Sequence, residues 1–443
     1  MTSWTRIPSV SIAAASADHY KEIRTDLLGL INRAAKEGEQ RLIRLSIGAF
    51  PFVILNNPST VGRVLTDPDR IFVRPKMDLW RRVLGDGVLT SDGEEWVRSR
   101  RRGAVLMGAR YVRTHARIVA DVTDDRIGSW TRGQAVDVLS EARMLTLSAG
   151  LRTLCGVERG FDPVPFIRAL ADVMEYIQAR ETSTPGDVPN TEQQSRFESA
   201  VIYLRGSVDR ILRLHLDGKD NLVSHLLSHP DRCSGRLSDQ QLRNDVLAHL
   251  IAGYESTATA VAWTLLLLAR DEASQTRLRG EIRYISGDPA ADITELGRLP
   301  YAQRVVMEAL RLYPPTWGVL RAATRPVELD GFRLPRGTCL LSSTYAIQRD
   351  ARWFDRPDEF VPERWLDRRA AKPPPFVYFP FGGGRHACPG RRMGQVTTAA
   401  IISQILRRFQ LRPTVEGDLC AALDVTLQPT SGTTLEVIEI PIQ

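Results

Sequence analysis

A mainly α-helical chain with a minor β part is what this sequence predicts, on three observations. Residues 115–179 read as successive helical stretches, broken near Gly133, Gly156 and Phe161–Pro165. From Ser238 to about Arg270 the chain is apolar and unpunctuated enough for a single helix of roughly 48 Å. Ser238 and Gln241 have the spacing of a capping box at its start. Strand signals, by contrast, are confined to residues 42–55, 316–343 and 427–437.

Taken in order, residues 18–38 have helical periodicity and stop at Gly38. Residues 42–55 alternate as a hairpin turning at Gly48, and Pro58 opens a short helix to Leu65. Residues 72–92 read as loop, with Met77, Leu79, Trp80 and Leu84 as apolar contacts. Glu94 to Met107 reads as a helix on which Trp96 and Arg100, four residues apart, share a face. With Arg98, Arg101 and Arg102 beside them, a solvated basic helix is the plainer reading of that pair. Residues 182–191 (TSTPGDVPNT) form the most loop-like stretch, and helix resumes at Glu192. No shift of composition follows it, so residues 1–443 are read as one domain.

Within the long helix lies A-G-Y-E-S-T, Ala252 to Thr257. A glutamate there is costly unless it is hydrogen-bonded or does chemistry. Gly253 and the hydroxyl residues invite a local distortion of the helix ladder. The bland alternative is a packing glycine beside a surface glutamate. Tyr301 to Tyr313 is a further helix, stopped by Pro314-Pro315, with Glu308 and Arg311 as an i,i+3 pair. Residues 316–343 read as short strands with turns at Asp330-Gly331 and Pro335-Arg336-Gly337. Residues 427–437 look like a hairpin turning at Ser431-Gly432.

The most informative stretch is Phe381 to Gly390, F-G-G-G-R-H-A-C-P-G. Three consecutive glycines let a backbone take φ > 0 and approach a flat ligand. Pro389 suits the first turn of a helix that continues over residues 394–406. A thiolate at a helix N-terminus is favoured by the dipole and the unpaired N–H groups. A lone cysteine is still more often a buried hydrophobe than a ligand.

Composition bounds the rest. Hydrophobic content of 43% and charged content of 25% are globular values, which excludes a disordered or fibrous chain. No stretch reaches about 18 uncharged apolar residues and residues 1–16 lack the pattern of a signal peptide, so a cytoplasmic protein without a membrane anchor is expected. The five cysteines are odd in number and widely spaced, which argues against a disulfide framework or a structural zinc site. The net charge of +7 is carried mostly by arginine; no nucleic-acid motif accompanies it, so no nucleic-acid partner is expected.

The spacing F-x-x-G-x-[RH]-x-C-x-G, met at Phe381, Gly384, His386, Cys388 and Gly390, resembles the haem-binding loop of the haem-thiolate monooxygenases, the cytochrome P450 superfamily. The resemblance extends in family order over nearly the whole chain, from Trp96 to Gly390. It implies the P450 fold with a long central helix over haem b, and Cys388 as axial thiolate to the iron. It places Phe381 near the sulfur and His386, Trp96, Arg100 and Arg321 near the haem propionates. A thiolate ligand pushes electron density onto iron and favours O–O cleavage. Glu255 and Ser256 resemble the family's acid–alcohol pair for oxygen activation, with serine where threonine is usual; Thr257 offers a second hydroxyl. Glu308, Arg311 and Arg364, from motifs resembling E-x-x-R and P-E-R, correspond to a buried structural triad.

The same resemblance implies a lid over the substrate channel near residues 182–191. It implies a pocket drawn from Met77, Trp80, Leu84, Ile251, Ala252, Trp317, Val319 and Ser431. The expected reaction uses O₂ and two electrons from a separate ferredoxin or flavodoxin with its reductase, docked through the basic residues around Cys388 (Arg385, Arg391, Arg392). It oxidises a C–H bond of an apolar natural-product intermediate, whether terpenoid, polyketide or indole-containing peptide, in a monomeric enzyme. Two alternatives remain open: an oxidase that closes a C–N, C–C or C–O ring, and a haem-binding sensor without turnover.

Overall fold

The computed structural model describes residues 2–8, 20–36, 41–47, 50–181, 190–215, 221–228, 237–286, 299–366 and 373–439. Helices α1 (Tyr20–Lys36), α2 (Pro58–Thr66), α3 (Asp78–Leu84), α4 (Gly93–Gly103) and α5 (Ala109–Ile127) come first. Next run α6 (Val138–Cys155), α7 (Pro163–Glu181), α8 (Thr191–Leu214), α9 (Leu222–Ser228) and α10 (Asp239–Arg270). The series closes with α11 (Glu272–Ser286), α12 (Pro300–Leu312), α13 (Thr344–Ile347) and α14 (Arg391–Arg408). Strands β1 (Thr2–Ser3), β2 (Leu42–Ile47), β3 (Phe50–Leu55), β4 (Phe72–Val73) and β5 (Ala135–Asp137) precede the long helix. After it come β6 (Gly318–Ala323), β7 (Val327–Leu329), β8 (Phe332–Leu334) and β9 (Cys339–Ser343). The last strands are β10 (Phe409–Pro413), β11 (Ala421–Leu423), β12 (Leu427–Pro429) and β13 (Thr434–Glu439). The fold is thus mainly helical with small sheets, as expected.

The chain divides into two compact units. The first comprises residues 1–76, 178–188 and 310–388, and its frame is a five-stranded sheet ordered β2-β3-β9-β6-β4. The 42–55 hairpin forms as expected, in register from Leu42 opposite Leu55 to Ile47 opposite Phe50; Gly48 itself lies outside the described residues. Leu42, Val53, Leu55 and Leu340 from this sheet pack with Val61, Val64 and Leu65 of α2 in one buried cluster. The start of α2 follows from its sequence. Asn57 accepts a hydrogen bond from the Ser59 N–H at 2.9 Å, and Pro58 occupies the first turn, where no donor is needed. The Asp330-Gly331 turn between β7 and β8 also forms, with φ of 48° and 86°. Arg63 of α2 reaches the Asp330 carboxylate at 2.8 Å.

The second unit comprises residues 77–177, 189–309 and 389–443, and its axis is α10. The capping box is present: Gln241 N–H donates to Ser238 Oγ at 3.2 Å, and Ser238 N–H to Gln241 Oε1 at 3.2 Å. The helix packs along α6 and α14 and is buried from Asn244 onwards over most of its surface. It is long and apolar enough to cross a membrane by composition, yet 83% of its apolar window is buried inside the fold, which marks a core helix. A buried histidine links its neighbours. His115 of α5 bonds Thr153 Oγ1 of α6 at 3.1 Å and Thr397 Oγ1 of α14 at 2.6 Å, and burial lowers its pKa to about 4, so it is neutral near pH 7.

Three expectations are corrected. Residues 72–92 are not all loop: they contain β4 and α3, because Trp80, Val83 and Leu84, spaced i, i+3, i+4, drive a short helix into the core of this second unit. Residues 427–437 are not a hairpin. β12 pairs with β11 around a turn at Asp424–Thr426, whereas β13 pairs with β10 and β5. Leu435 and Val437 are buried in that second sheet, so the segment holding Ser431 and Gly432 crosses between sheets instead of turning back. Helix α10 also runs unbroken through Ala252–Thr257, without the distortion that Gly253 suggested.

Candidate active site

The cysteine loop of the first unit is built by its three glycines, each for a different reason. Gly382 has φ +67° with nothing within 4 Å of a Cβ, so conformation alone demands glycine there. At Gly383 a Cβ would come within 2.3 Å of the Phe376 ring. Gly384 meets both conditions: φ is +65° and a Cβ would lie 1.9 Å from the backbone oxygen of Leu65 in α2. The loop thus lies against α2 at closer range than any side chain permits. It closes on itself where Cys388 N–H donates to Phe381 O at 2.9 Å and Ala387 N–H to Gly384 O at 3.1 Å.

Cys388 emerges from this loop exposed, whereas Cys155 and Cys339 are buried. Burial drives the Cys155 thiol pKa up strongly and pushes that of Cys339 to about 12, so neither is a thiolate near neutrality. Pro389 sits in the turn ahead of α14 rather than in its first helical turn; Gly390 is the N-cap and Arg391 the first helical residue. Phe381 and His386 are half-buried in the same loop. Arg321, on β6, is 5% exposed, and its Nη1 donates to Leu320 O at 2.8 Å.

On α12, Glu308 and Arg311 are fully buried. Arg311 donates to the carbonyls of Gln348 (3.0 Å), Pro357 (2.6 Å) and Glu359 (2.9 Å) and lies over the Phe354 ring. Arg364, half-buried, donates to the carbonyls of Asp355 at 2.6 Å and Arg356 at 3.0 Å. Both guanidiniums therefore gather the irregular backbone of residues 348–359. The N-terminus of α12 is capped by Glu281 of α11, whose carboxylate accepts from Tyr301 and Ala302 N–H.

In the second unit, the middle of α10 opens. Ile251, Tyr254, Glu255 and Thr257 are buried, while Ala252 and Gly253 are exposed and Ser256 is half-buried. A Cβ on Gly253 would meet nothing within 4 Å. Glu255 turns the other way. Its Oε1 accepts from Arg143 Nη2 of α6 at 2.8 Å and from Gln428 Nε2 of β12 at 3.0 Å. Its Oε2 is buried with no hydrogen-bond partner among the described residues. Burial alone would lower the Arg143 pKa, but attraction and hydrogen bonding to Glu255 raise it on balance, so the guanidinium stays charged. The neighbouring Tyr254 phenol is pushed up by burial and by Glu255. Ser256 Oγ donates back to Ala252 O at 3.1 Å. Arg143 and Gln428 have no counterpart in the sequence reading. No local pattern marks them, since they lie 112 and 173 residues from Glu255.

Trp96 is 5% exposed on α4, and Arg100 lies over its ring at 5.3 Å, so the two share a face as their spacing predicts. Arg101 on the same helix is exposed, but Arg102 is turned inward. Arg102 Nε donates to the fully buried Asp245 of α10 at 2.5 Å, and Ser99 Oγ to the same carboxylate at 2.8 Å. Of the expected pocket residues, Met77, Trp80, Leu84 and Ile251 fall in one apolar cluster of this unit. Val319 packs in the sheet core of the other unit, beside half-buried Trp317. Ser431 is exposed on the crossover. Residues 182–189, the expected lid, lie outside the described residues; Asn190 caps α8.

These features fit a haem. A metal already held by a macrocycle needs a single protein ligand, which the exposed Cys388 thiol on its fixed loop can supply; Cys420 is exposed too, but no such loop presents it. Among the described residues no three His, Cys, Asp or Glu gather as a protein-only metal site would require. In the first unit Gly382, with nothing within 4 Å of a Cβ, and in the second the open strip at Ala252 and Gly253 are each bare enough to lie against a flat group.

The family model described as Cytochrome P450 matches residues 20–437. Cyclooctatin synthase of Streptomyces melanosporofaciens is 32% identical over 84% of this chain and 83% of its own. Cyclooctat-9-en-7-ol 5-monooxygenase of the same organism is 31% identical with the same coverage. Pentalenene oxygenase of Streptomyces avermitilis is 28% identical over 85% of each chain. Among solved structures, the crystal structure of the cytochrome P450DA heme domain superposes with a TM-score of 0.86 at 25% identity, covering 98% of both chains.

Proposed function

The chain belongs to the cytochrome P450 family, and we propose that it hydroxylates a C–H bond of a cyclic terpenoid in natural-product biosynthesis. It is an oxidoreductase with haem as cofactor, using O₂ and a redox partner. The terpenoid class is supported by relatives named for cyclooctat-9-en-7-ol and pentalenene, and by the apolar cluster holding Met77, Trp80, Leu84 and Ile251. As partner we propose a ferredoxin or flavodoxin with its reductase, and as setting the cytoplasm, with the chain acting as a single monomeric haem domain.

Haem, when bound, supplies oxygen activation at its iron. The chain supplies the ligand, the haem contacts and the proton-handling groups. Cys388 provides the thiolate, presented on a loop that cannot shift toward α2 without clashing at Leu65. As propionate partners we propose Trp96 through its indole N–H and Arg100 and Arg321 through their guanidiniums, which suit carboxylates. Glu255 is bonded by Arg143 at Oε1 and keeps Oε2 uncommitted, which leaves that atom open to a proton. Ser256 and Thr257 offer hydroxyls one and two residues on. The observation that carries this reading is the buried, half-coordinated Glu255 beside an open strip of α10.

The test is a spectrum followed by a screen. Reduced protein under carbon monoxide should give a strongly red-shifted Soret band. Cyclic terpene hydrocarbons and alcohols should then shift the ferric spin state, and a ferredoxin system should yield product enlarged by one oxygen from ¹⁸O₂. Product lacking label would transfer the reading to oxidative ring closure. Spin-state shifts without product would make the protein a binding module.

A further inference from the structure

We propose that the β11–β12 hairpin is the proton entrance to Glu255, with Asp424 as its outer acid and Gln428 and Arg143 as the residues that position both carboxylates. The inference rests on the reading of Glu255 as the acid of the reaction. Its ground is that one amide nitrogen touches both groups: Gln428 Nε2 lies 3.0 Å from Glu255 Oε1 and 3.4 Å from Asp424 Oδ2. Two carboxylates held by one nitrogen are near neighbours, and in this proposal a single water bridges them. The amide is itself fixed, because Arg143 Nη2 donates to Gln428 Oε1 at 3.2 Å as well as to Glu255.

The hairpin is well placed to hold this geometry. It is pinned to α10 at two further levels: Thr259 Oγ1 and Thr426 Oγ1 are 3.2 Å apart, and Trp263 Nε1 donates to Leu427 O at 2.7 Å. Its turn faces outward, with Val425 exposed and Asp424 half-buried. The groups facing Asp424 include the Val425 N–H, Arg143 of α6, Gln428 of its own hairpin and Glu175 of α7; those facing Glu255 include Arg143, Gln428 and Tyr254. Burial raises the Asp424 pKa and Glu175 adds to this, against the pull of the Val425 N–H and Arg143. Asp424 therefore stays protonated to higher pH than an ordinary aspartate, as an outer acid should. The step needs no other reactant: a proton leaves Asp424 Oδ2, passes through the bridging water, and arrives on the Glu255 carboxylate, while solvent reprotonates Asp424.

The test compares Asp424→Asn, Gln428→Leu and Glu255→Gln in the holoenzyme. Asp424→Asn should cut product formed per electron by roughly tenfold, enlarge the solvent deuterium isotope effect, and be rescued by Asp424→Glu. Gln428→Leu should do the same without removing a charge. A readout independent of turnover is the melting temperature against pH. A carboxyl whose folded pKa is raised adds stability below its unfolded pKa, about 4, and that stability is lost as pH rises through the folded value. Asp424→Asn should flatten that limb. If Asp424→Asn leaves coupling and isotope effect unchanged while Glu255→Gln lowers both, the entrance lies elsewhere and the proposal falls alone. If Glu255→Gln also changes nothing, the reading of Glu255 falls with it.

Discussion

The cysteine loop and the glutamate site reach the same end, one reactive side chain held still, by opposite means. The described constraints on the Cys388 loop lie in ten consecutive residues, the nearby Phe376 ring and one turn of α2. Everything that fixes Glu255 comes from three separate elements, α10, α6 and β12. In the first the constraint is steric and written in glycines. In the second it is electrostatic, an ion pair with side-chain exposures of 21% and 6%, assembled only when distant segments meet. A local device fails by losing its shape; an assembled one fails by losing a partner.

The largest effect should come from the local device. Cys388→Ser should abolish the red-shifted Soret band of the reduced carbon monoxide complex altogether; a retained band would mean that another residue ligates the iron. Next, Gly384→Ala should cost about 3–5 kcal/mol, combining left-handed backbone strain with overpacking against Leu65. Gly382→Ala, strained but unobstructed, should cost only about 1–2 kcal/mol. Chemical denaturation of the two variants would measure the gap, and equal losses would show that space around the loop is irrelevant. On the other side, Arg143→Met strands the Glu255 carboxylate and should cost about 2–3 kcal/mol, discounted for the partial exposure of the arginine. The further change Glu255→Gln should recover part of that loss, since no charge is then left unpaired. A double variant no more stable than Arg143→Met alone would break the comparison, because it would mean that Arg143 acts through packing.

This contrast also explains what was legible. The Phe381–Gly390 loop could be read because its constraints are contiguous and specific to residue type. The capping box at Ser238 and Gln241 was legible for the same reason, being a pair of bonds three residues apart. The Trp96–Arg100 face followed from helical spacing. Arg143 and Gln428 could not be read, since a partner 112 or 173 residues away leaves no mark on its neighbours. The misreading of residues 427–437 has a related cause. Apolar alternation shows that Leu427, Leu435 and Val437 point inward, but not into which sheet, and pairing partners 421–423 and 409–413 were needed to separate them. Within α3, the i, i+3, i+4 spacing of Trp80, Val83 and Leu84 was present but too short to outweigh a loop-like context.

For anyone wishing to redesign the surroundings of the thiol, the glycine run sets unequal terms. In a randomised library Gly382 should yield asparagine and aspartate survivors, since these residues tolerate a left-handed backbone and nothing stands in their way. Gly383 should yield larger residues only in clones where Phe376 has also been trimmed, making the two codons travel together. Gly384 should return as wild type from almost every survivor, because its obstacle is the backbone of Leu65, which no codon can shorten. Three identical letters thus mark one free position, one conditional position and one fixed point. Evolution of this enzyme toward new chemistry is therefore channelled away from Gly384 and onto positions with free space around them.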